Sequence, residues 1–289
     1  RTFTVANGAA ADDLSVAATI IDCVPACTGV GSLTKAGAGT LVLSGANSYT
    51  GATAVSAGVL NVRNATGTGT TAGGVTVAAG AALELQGGIT VGAEALSITG
   101  TGVVGANGAL RNISDANTWG GTVTLTGASE IQSDAGTLTL NAANSVTAGA
   151  AQTLAFDGAG NTTVSGTIVT PVSTLTKNGT GTLTLLGANT YTGATAVNAG
   201  VLNVQNATAL GATGAGTTVA AGAALELQGT FAVGAETLSL SGTGISGGGA
   251  LRAISGTNSW AGAITLANAA RINSDVGAAL TLSGGVTNA

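Results

Sequence analysis

A thirty-residue stretch occurs twice in this chain, almost unchanged. Residues 33–62 read LTKAGAGTLVLSGANSYTGATAVSAGVLNV, and residues 175–204 read LTKNGTGTLTLLGANTYTGATAVNAGVLNV. The two copies agree at 24 of 30 positions, at a constant offset of 142. A long fixed period constrains architecture before any local propensity does, because each period must be a unit that buries its apolar face against its neighbours. The offset persists well beyond the stretch. Gly80-Ala81-Ala82-Leu83-Glu84-Leu85-Gln86 returns at 222–228, and Val91-Gly92-Ala93-Glu94 returns at Val233-Gly234-Ala235-Glu236. Ala109-Leu110-Arg111 matches Ala250-Leu251-Arg252 with one residue missing between, and Trp119 matches Trp260. The chain therefore divides into residues 1–32, the end of a preceding unit plus a junction, then a first unit of 142 residues at 33–174, and a second, incomplete one at 175–289.

Within a unit, apolar residues recur with period two in short bursts: Leu41/Leu43, Leu60/Val62, Val75/Val77, Leu83/Leu85, Leu96/Ile98, Val123/Leu125 and Leu138/Leu140. Gly, Asn, Ser, Thr and Ala lie between them. That is the pattern of strands of about three to six residues separated by turns. No stretch keeps a helical spacing over three turns. Pairs of the Asn-Gly kind, which close tight antiparallel hairpins, are few among the turns. Short strands in a long period then indicate an all-β right-handed parallel β-helix, a single continuous solenoid over residues 1–289 with almost no helix. Coils of roughly 20 residues would stack about 4.8 Å apart, about seven to a period. Asn47 and Asn189, before the Tyr-Thr-Gly turn, are expected to bond backbone groups and to tolerate a left-handed conformation there, with positive φ supplied by the glycines beside them.

Composition agrees. Charged residues make up 7% of the chain and aromatics 2%, Gly accounts for 49 of 289 residues, and there is no His or Met. The hydrophobic share of 45% argues against disorder, and the small size of those residues suits a thin, stacked core. Seven Lys and Arg against twelve acids, a net charge of −5, provide no basic stripe for phosphates, which excludes nucleic acid as a partner. No apolar run reaches the roughly 18 residues of a membrane-spanning helix.

The pattern Leu-Thr-Lys-x-Gly-x-Gly-Thr-Leu, then Gly-Ala-Asn-x-Tyr-Thr-Gly-Ala-Thr-x-Val, then Ala-Gly-x-Leu-x-Val resembles the autotransporter-associated β-strand repeat, or passenger-associated transport repeat, of bacterial type V secretion. The resemblance covers the two thirty-residue stretches. It implies an extracellular or cell-surface chain exported through the outer membrane unfolded, and an outer-membrane barrel in the parent protein.

In an exported chain Cys23 and Cys27, within Asp22-Cys23-Val24-Pro25-Ala26-Cys27, are expected to form a local disulfide, with Pro25 favouring the turn. The second copy lacks both cysteines, which fall in an insertion of about six residues. So short a loop gives little entropic stabilisation. Metal binding would need more ligands than these two sulfurs.

Other candidates are sparse. Without His the commonest general base and metal ligand is missing. Glu84, Glu94, Asp115, Asp134, Glu226, Glu236 and Asp275 are spread out and several recur between copies, as acids on a solvated edge would; a paired-carboxylate glycosidase site is the competing reading. Arg111 and Arg252 are expected to pair with a carboxylate of a neighbouring coil. Trp119 and Trp260 read as packing residues, with an exposed sugar platform as the alternative, and Tyr49 and Tyr191 as packing at the turn. Residues 157–161, Asp-Gly-Ala-Gly-Asn, invite a calcium reading but lack the Gly-Gly-x-Gly-x-Asp run. No catalytic, cofactor or metal site is assigned.

These observations predict a structural, non-enzymatic extracellular solenoid: a stalk, fibre or adhesin shaft. Its expected partners are further coils, in a longer tandem array or by end-to-end self-association, and a host or surface glycan. A carbohydrate-binding or polysaccharide-cleaving β-helix is the alternative, and a self-assembling filament the third reading.

Overall fold

The computed structural model describes residues 1–22, 30–104, 106–169 and 171–289. The expected disulfide of Cys23 and Cys27 lies outside the described residues. The chain forms two compact units, Arg1–Ser145 and Val146–Ala289. Each is a parallel β-solenoid, and the one helical element among the described residues is a 3-10 turn at Ile245–Gly247.

In the first unit, one column of strands runs Thr2–Thr4, Leu33–Ala36, Thr53–Val55, Val75–Val77 and Leu96–Gly100, ending on the first half of Val123–Ser133. A second runs Leu14–Val16, Thr40–Leu43, Gly58–Val62, Ala81–Leu85 and Leu110–Asn112, ending on the second half of that long strand. A third joins Thr90–Val91, Ala116–Trp119 and Thr137–Leu140. Every pairing in these columns is parallel.

The second unit repeats the plan. Its first column runs Gln152–Asp157, Val172–Lys177, Thr195–Val197, Thr217–Val219, Leu238–Gly242, Ile264–Ala270 and Val286–Asn288. Its second runs Asn161–Val164, Thr182–Leu185, Val201–Val204, Ala224–Gln228, Leu251–Ser255 and Ile272–Ser274. The third is Phe231–Val233, Thr257–Trp260 and Ala279–Leu282.

Strand alternation explains the register. Leu33, Val55, Leu96 and Ile98 point inward and are buried, with half-exposed or exposed residues between them. Shifting any coil by one residue would turn its whole apolar set outward, so burial fixes the stacking. Some coils have the 20 residues expected and others are longer. Bonded partners in adjacent coils lie 20 apart at Asn47 and Gly67, 23 at Asn61 and Glu84, and 27 at Arg111 and Glu84, so a period holds fewer coils than seven. The extra length in the coil between Leu83 and Leu110 holds a small antiparallel pair, Gly102–Val103 with Ala106–Asn107; the 3-10 turn occupies the matching place in the second unit.

The glycines of the recurring turn serve a purpose other than the one the sequence indicates. Asn47 and Asn189 are not left-handed, and Gly45 and Gly51 beside Asn47 are not among the positive-φ glycines. A Cβ on Gly51 would instead lie 2.7 Å from the Gly31 carbonyl oxygen of the coil beneath. These glycines let one coil's backbone settle on the next.

Candidate functional site

Strand register builds a polar row on the outer face of each unit's second column. Asn61, Glu84, Arg111 and Gln132 are successive partners in adjacent strands. The Asn61 amide donates to Glu84 Oε2 at 3.0 Å, and Arg111 Nη1 donates to Glu84 Oε1 at 3.0 Å. Arg111 Nη2 meets Asp134 Oδ2 at 2.5 Å, and Arg63 donates to both Asp12 oxygens at 2.9 Å and to Asn61 at 2.9 Å. Burial works against the Arg111 charge, yet Asp134 and Glu84 outweigh it and hold its pKa above the ordinary arginine value.

The second unit carries the same row, Asn203, Glu226, Arg252 and Asn273. Arg252 reaches Glu226 at 3.3 Å and Asp275 at 2.6 Å. The Arg252 hydrogen bond draws the Asp275 carboxyl below its usual range. Gln205 replaces Arg63 and bonds Asn203 and Gln228 instead. As the sequence predicts, the recurring arginines pair with carboxylates of neighbouring coils.

Chemically this row presents polar groups already paired with one another. Glycoside hydrolysis needs one carboxyl kept neutral as an acid beside an ionised partner. Glu84, Asp134, Glu226 and Asp275 are each bonded to a guanidinium instead.

Two other acids correct the solvated-edge expectation. Glu94 and Glu236 are 1% and 2% exposed. Glu94 Oε2 accepts from the Thr68 hydroxyl at 2.5 Å, and Glu236 Oε1 from Thr217 at 2.8 Å, while the other oxygen of each has no partner. The coil above places Trp119 and Trp260 so that each indole Nε1 donates to the backbone carbonyl of the same glutamate, at 3.0 and 2.8 Å. Both tryptophans are fully buried, as are Tyr49 and Tyr191, whose hydroxyls bond Thr53 and Thr195 at 2.6 and 2.7 Å. Glu84 also corrects the expectation, at 7% exposure beneath Arg111. Asp115 does lie exposed, accepting from the Gly87 amide and the Ser114 hydroxyl. Asp157 accepts from the amide of Gly158 within its own turn.

The repeated motif itself is held by two lysines whose role the sequence leaves unassigned and by the two asparagines expected to bond backbone groups. Lys35 is fully buried, and its ammonium donates to the carbonyls of Ala36, Gly37 and Ala57 at 3.1, 2.7 and 2.9 Å. Ala57 belongs to the next coil, so the charge ties two turns together. Lys177 does the same with Gly179 and Ala199, and burial pulls its pKa down to about 8. Strand parity carries the signal: Lys35 shares its face with Leu33, and Glu94 has the parity of Leu96 and Ile98. Asn47 accepts from the Ile20 amide at 2.8 Å and donates to the Gly67 carbonyl at 2.6 Å; Asn189 repeats this with Ile168 and Ala209 at the same distances.

A family model described as the passenger-associated-transport-repeat matches residues 33–62 and 175–204, the stretches these lysines and asparagines stitch together. The chain carries two passenger-associated transport repeats, over those residues. An adhesin BmaC autotransporter of Brucella suis biovar 1 (strain 1330) is 38% identical over 128 residues, which is 43% of this chain and 4% of that protein. The chain thus spans a small fraction of that relative's length. No solved structure matches. A passenger repeat is exported, so this chain is a cell-surface or extracellular one.

Proposed function

We propose that this chain is a stalk segment of an adhesin-like autotransporter passenger, a non-enzymatic solenoid that carries contact surfaces away from the cell. The observation that supports it most directly is the coincidence of the two matched repeats with the residues that stitch coil to coil: the recognisable sequence is invested in stacking. The adhesin character of the relative points the same way. Pairing of the outer carboxylates with Arg111 and Arg252 supports a non-enzymatic role, since each is engaged by a guanidinium rather than left open to a substrate. In the parent, an outer-membrane barrel is the expected exporter. Further coils are the expected neighbours, in tandem or by end-to-end association, and a surface glycan is the expected ligand class for the polar row.

The test is direct. The purified chain is screened against a panel of host and bacterial polysaccharides for both binding and turnover, and imaged by electron microscopy. Binding or adhesion without cleavage fits the proposal, with long uniform fibres favouring end-to-end association. Cleavage abolished by Glu84→Gln or Glu226→Gln would overturn it in favour of a carbohydrate-active β-helix.

A further inference from the structure

We propose that Glu94 and Glu236 fold as neutral carboxylic acids, so that each unit takes up a proton as it folds and is strengthened by acid. The geometry leaves little room for a charge. An ionised carboxylate withdrawn from water is held by two or three donors or by a cation. Each of these has one hydroxyl, from Thr68 or Thr217, and one oxygen without a partner. The indole and phenol donors of the neighbouring coils are already spent. The indoles of Trp119 and Trp260 bond backbone carbonyls, and the hydroxyls of Tyr49 and Tyr191 bond threonines. Among the described residues no ion pair includes either glutamate. The titratable groups facing them are Tyr49 and Tyr191 from the coils below, and each tyrosine feels its glutamate as a repelling charge. Arg1 acts on Tyr49, whereas Glu94 responds to its own burial and the Thr68 hydroxyl.

Burial accordingly raises both carboxyls above the usual range, Glu94 to about 7 from 4.5, against a smaller lowering by the threonine hydroxyls. Between those two values the folded unit holds a proton that the unfolded chain has released. Stability is therefore full below about pH 4.5 and falls as pH rises towards 7. Other shifted groups act outside this window. Asp13, Asp22 and Asp275 are lowered and matter below 3.8, Lys177 matters above about 8, and Tyr49 is raised to about 12. An exported chain meets external pH directly, so the window is one it encounters.

The experiment follows urea unfolding of the 289-residue chain between pH 4.5 and 8, for the wild type and for Glu94→Gln/Glu236→Gln. The folded-to-unfolded ratio of the wild type is expected to drop on the order of a hundredfold across the range, and the double variant to respond far less. A flat or rising wild-type profile, or an unchanged slope in the variant, would overturn the proposal. Should the variant fail to fold, carbon NMR of the labelled glutamate carboxyls decides on the wild type. Two carboxyls titrating above about pH 6 support the proposal; every glutamate titrating below about pH 5 refutes it.

Discussion

Replacing Asn189 by Ala strips two buried backbone groups of their partners at once. In the native unit the side-chain oxygen accepts from the Ile168 N–H at 2.8 Å, and the amide donates to the Ala209 carbonyl at 2.6 Å. Asn189 is 3% exposed, and Ile168 and Ala209 are buried, so water cannot take over either bond. Leaving a buried donor or acceptor unsatisfied costs about 1–3 kcal/mol. Asn189→Ala is thus expected to lose about 2–5 kcal/mol, and Asn47→Ala a similar amount through Ile20 and Gly67. Asn189→Asp keeps the acceptor but sets a carboxylate against the Ala209 carbonyl, so it should not rescue. Urea unfolding gives the global loss. Because a solenoid can open locally, hydrogen exchange at the Ile168 amide gives the local one. Variants within about 0.5 kcal/mol of wild type, with Ile168 protection unchanged, would refute the claim that these asparagines bridge coils.

Other positions separate the effects further. Lys177 predicts a second pH window of opposite slope. Its folded pKa of about 8 lies below the 10.5 of the unfolded chain, so stability should rise by up to about 3 kcal/mol as pH climbs between them and fall back as pH drops through 8. In Lys177→Met that rise should vanish from the denaturation profile, read below pH 10 before the tyrosines intervene. Arg111→Ala should cost more than Arg252→Ala, roughly 1–3 against less than about 1 kcal/mol, because Arg111 is the less exposed of the two, at 20% against 34%; thermal melts in low and high salt would show the difference. Gly121→Ala and Gly262→Ala should each prevent the local coil from closing, since a Cβ would overlap the carbonyl of Glu94 or Glu236 beneath. Loss of the buried-tryptophan fluorescence signature in these variants would report it.

Much of this molecule was legible because a solenoid converts sequence period into structure almost without remainder. Leu41/Leu43, Leu60/Val62 and Leu83/Leu85 alternate in the sequence and stack as partners in adjacent strands. Arg111 and Arg252 could be paired with carboxylates for the same reason: like positions come into register. The buried charges were harder to read. Glu84 and Glu94 look alike as isolated acids, yet Glu84 has the outward parity of its strand and Glu94 the inward one. The cost of burying Lys35 is met by backbone carbonyls, which have no residue signature. Coil length is harder to read because extra residues of a longer coil sit in a local hairpin or 3-10 turn, whose only mark on the period is the one residue missing between Glu94/Glu236 and Ala109/Ala250.

The two buried acids also hold a record of how the units diverged. Position 68 is Thr and position 75 Val in the first unit; their counterparts 210 and 217 are Leu and Thr. The hydroxyl and the hydrocarbon have exchanged places across one coil, and the glutamate follows the hydroxyl. Any route of single changes between these states passes through a unit with both hydroxyls or with none. The second leaves an acid sealed in with no donor for either oxygen, the first only an additional hydroxyl beside a polar group. Descent should therefore run through the doubly hydroxylated form. Among many copies of this repeat the two threonines should trade against one another or occur together, and be absent together only where the glutamate has gone as well.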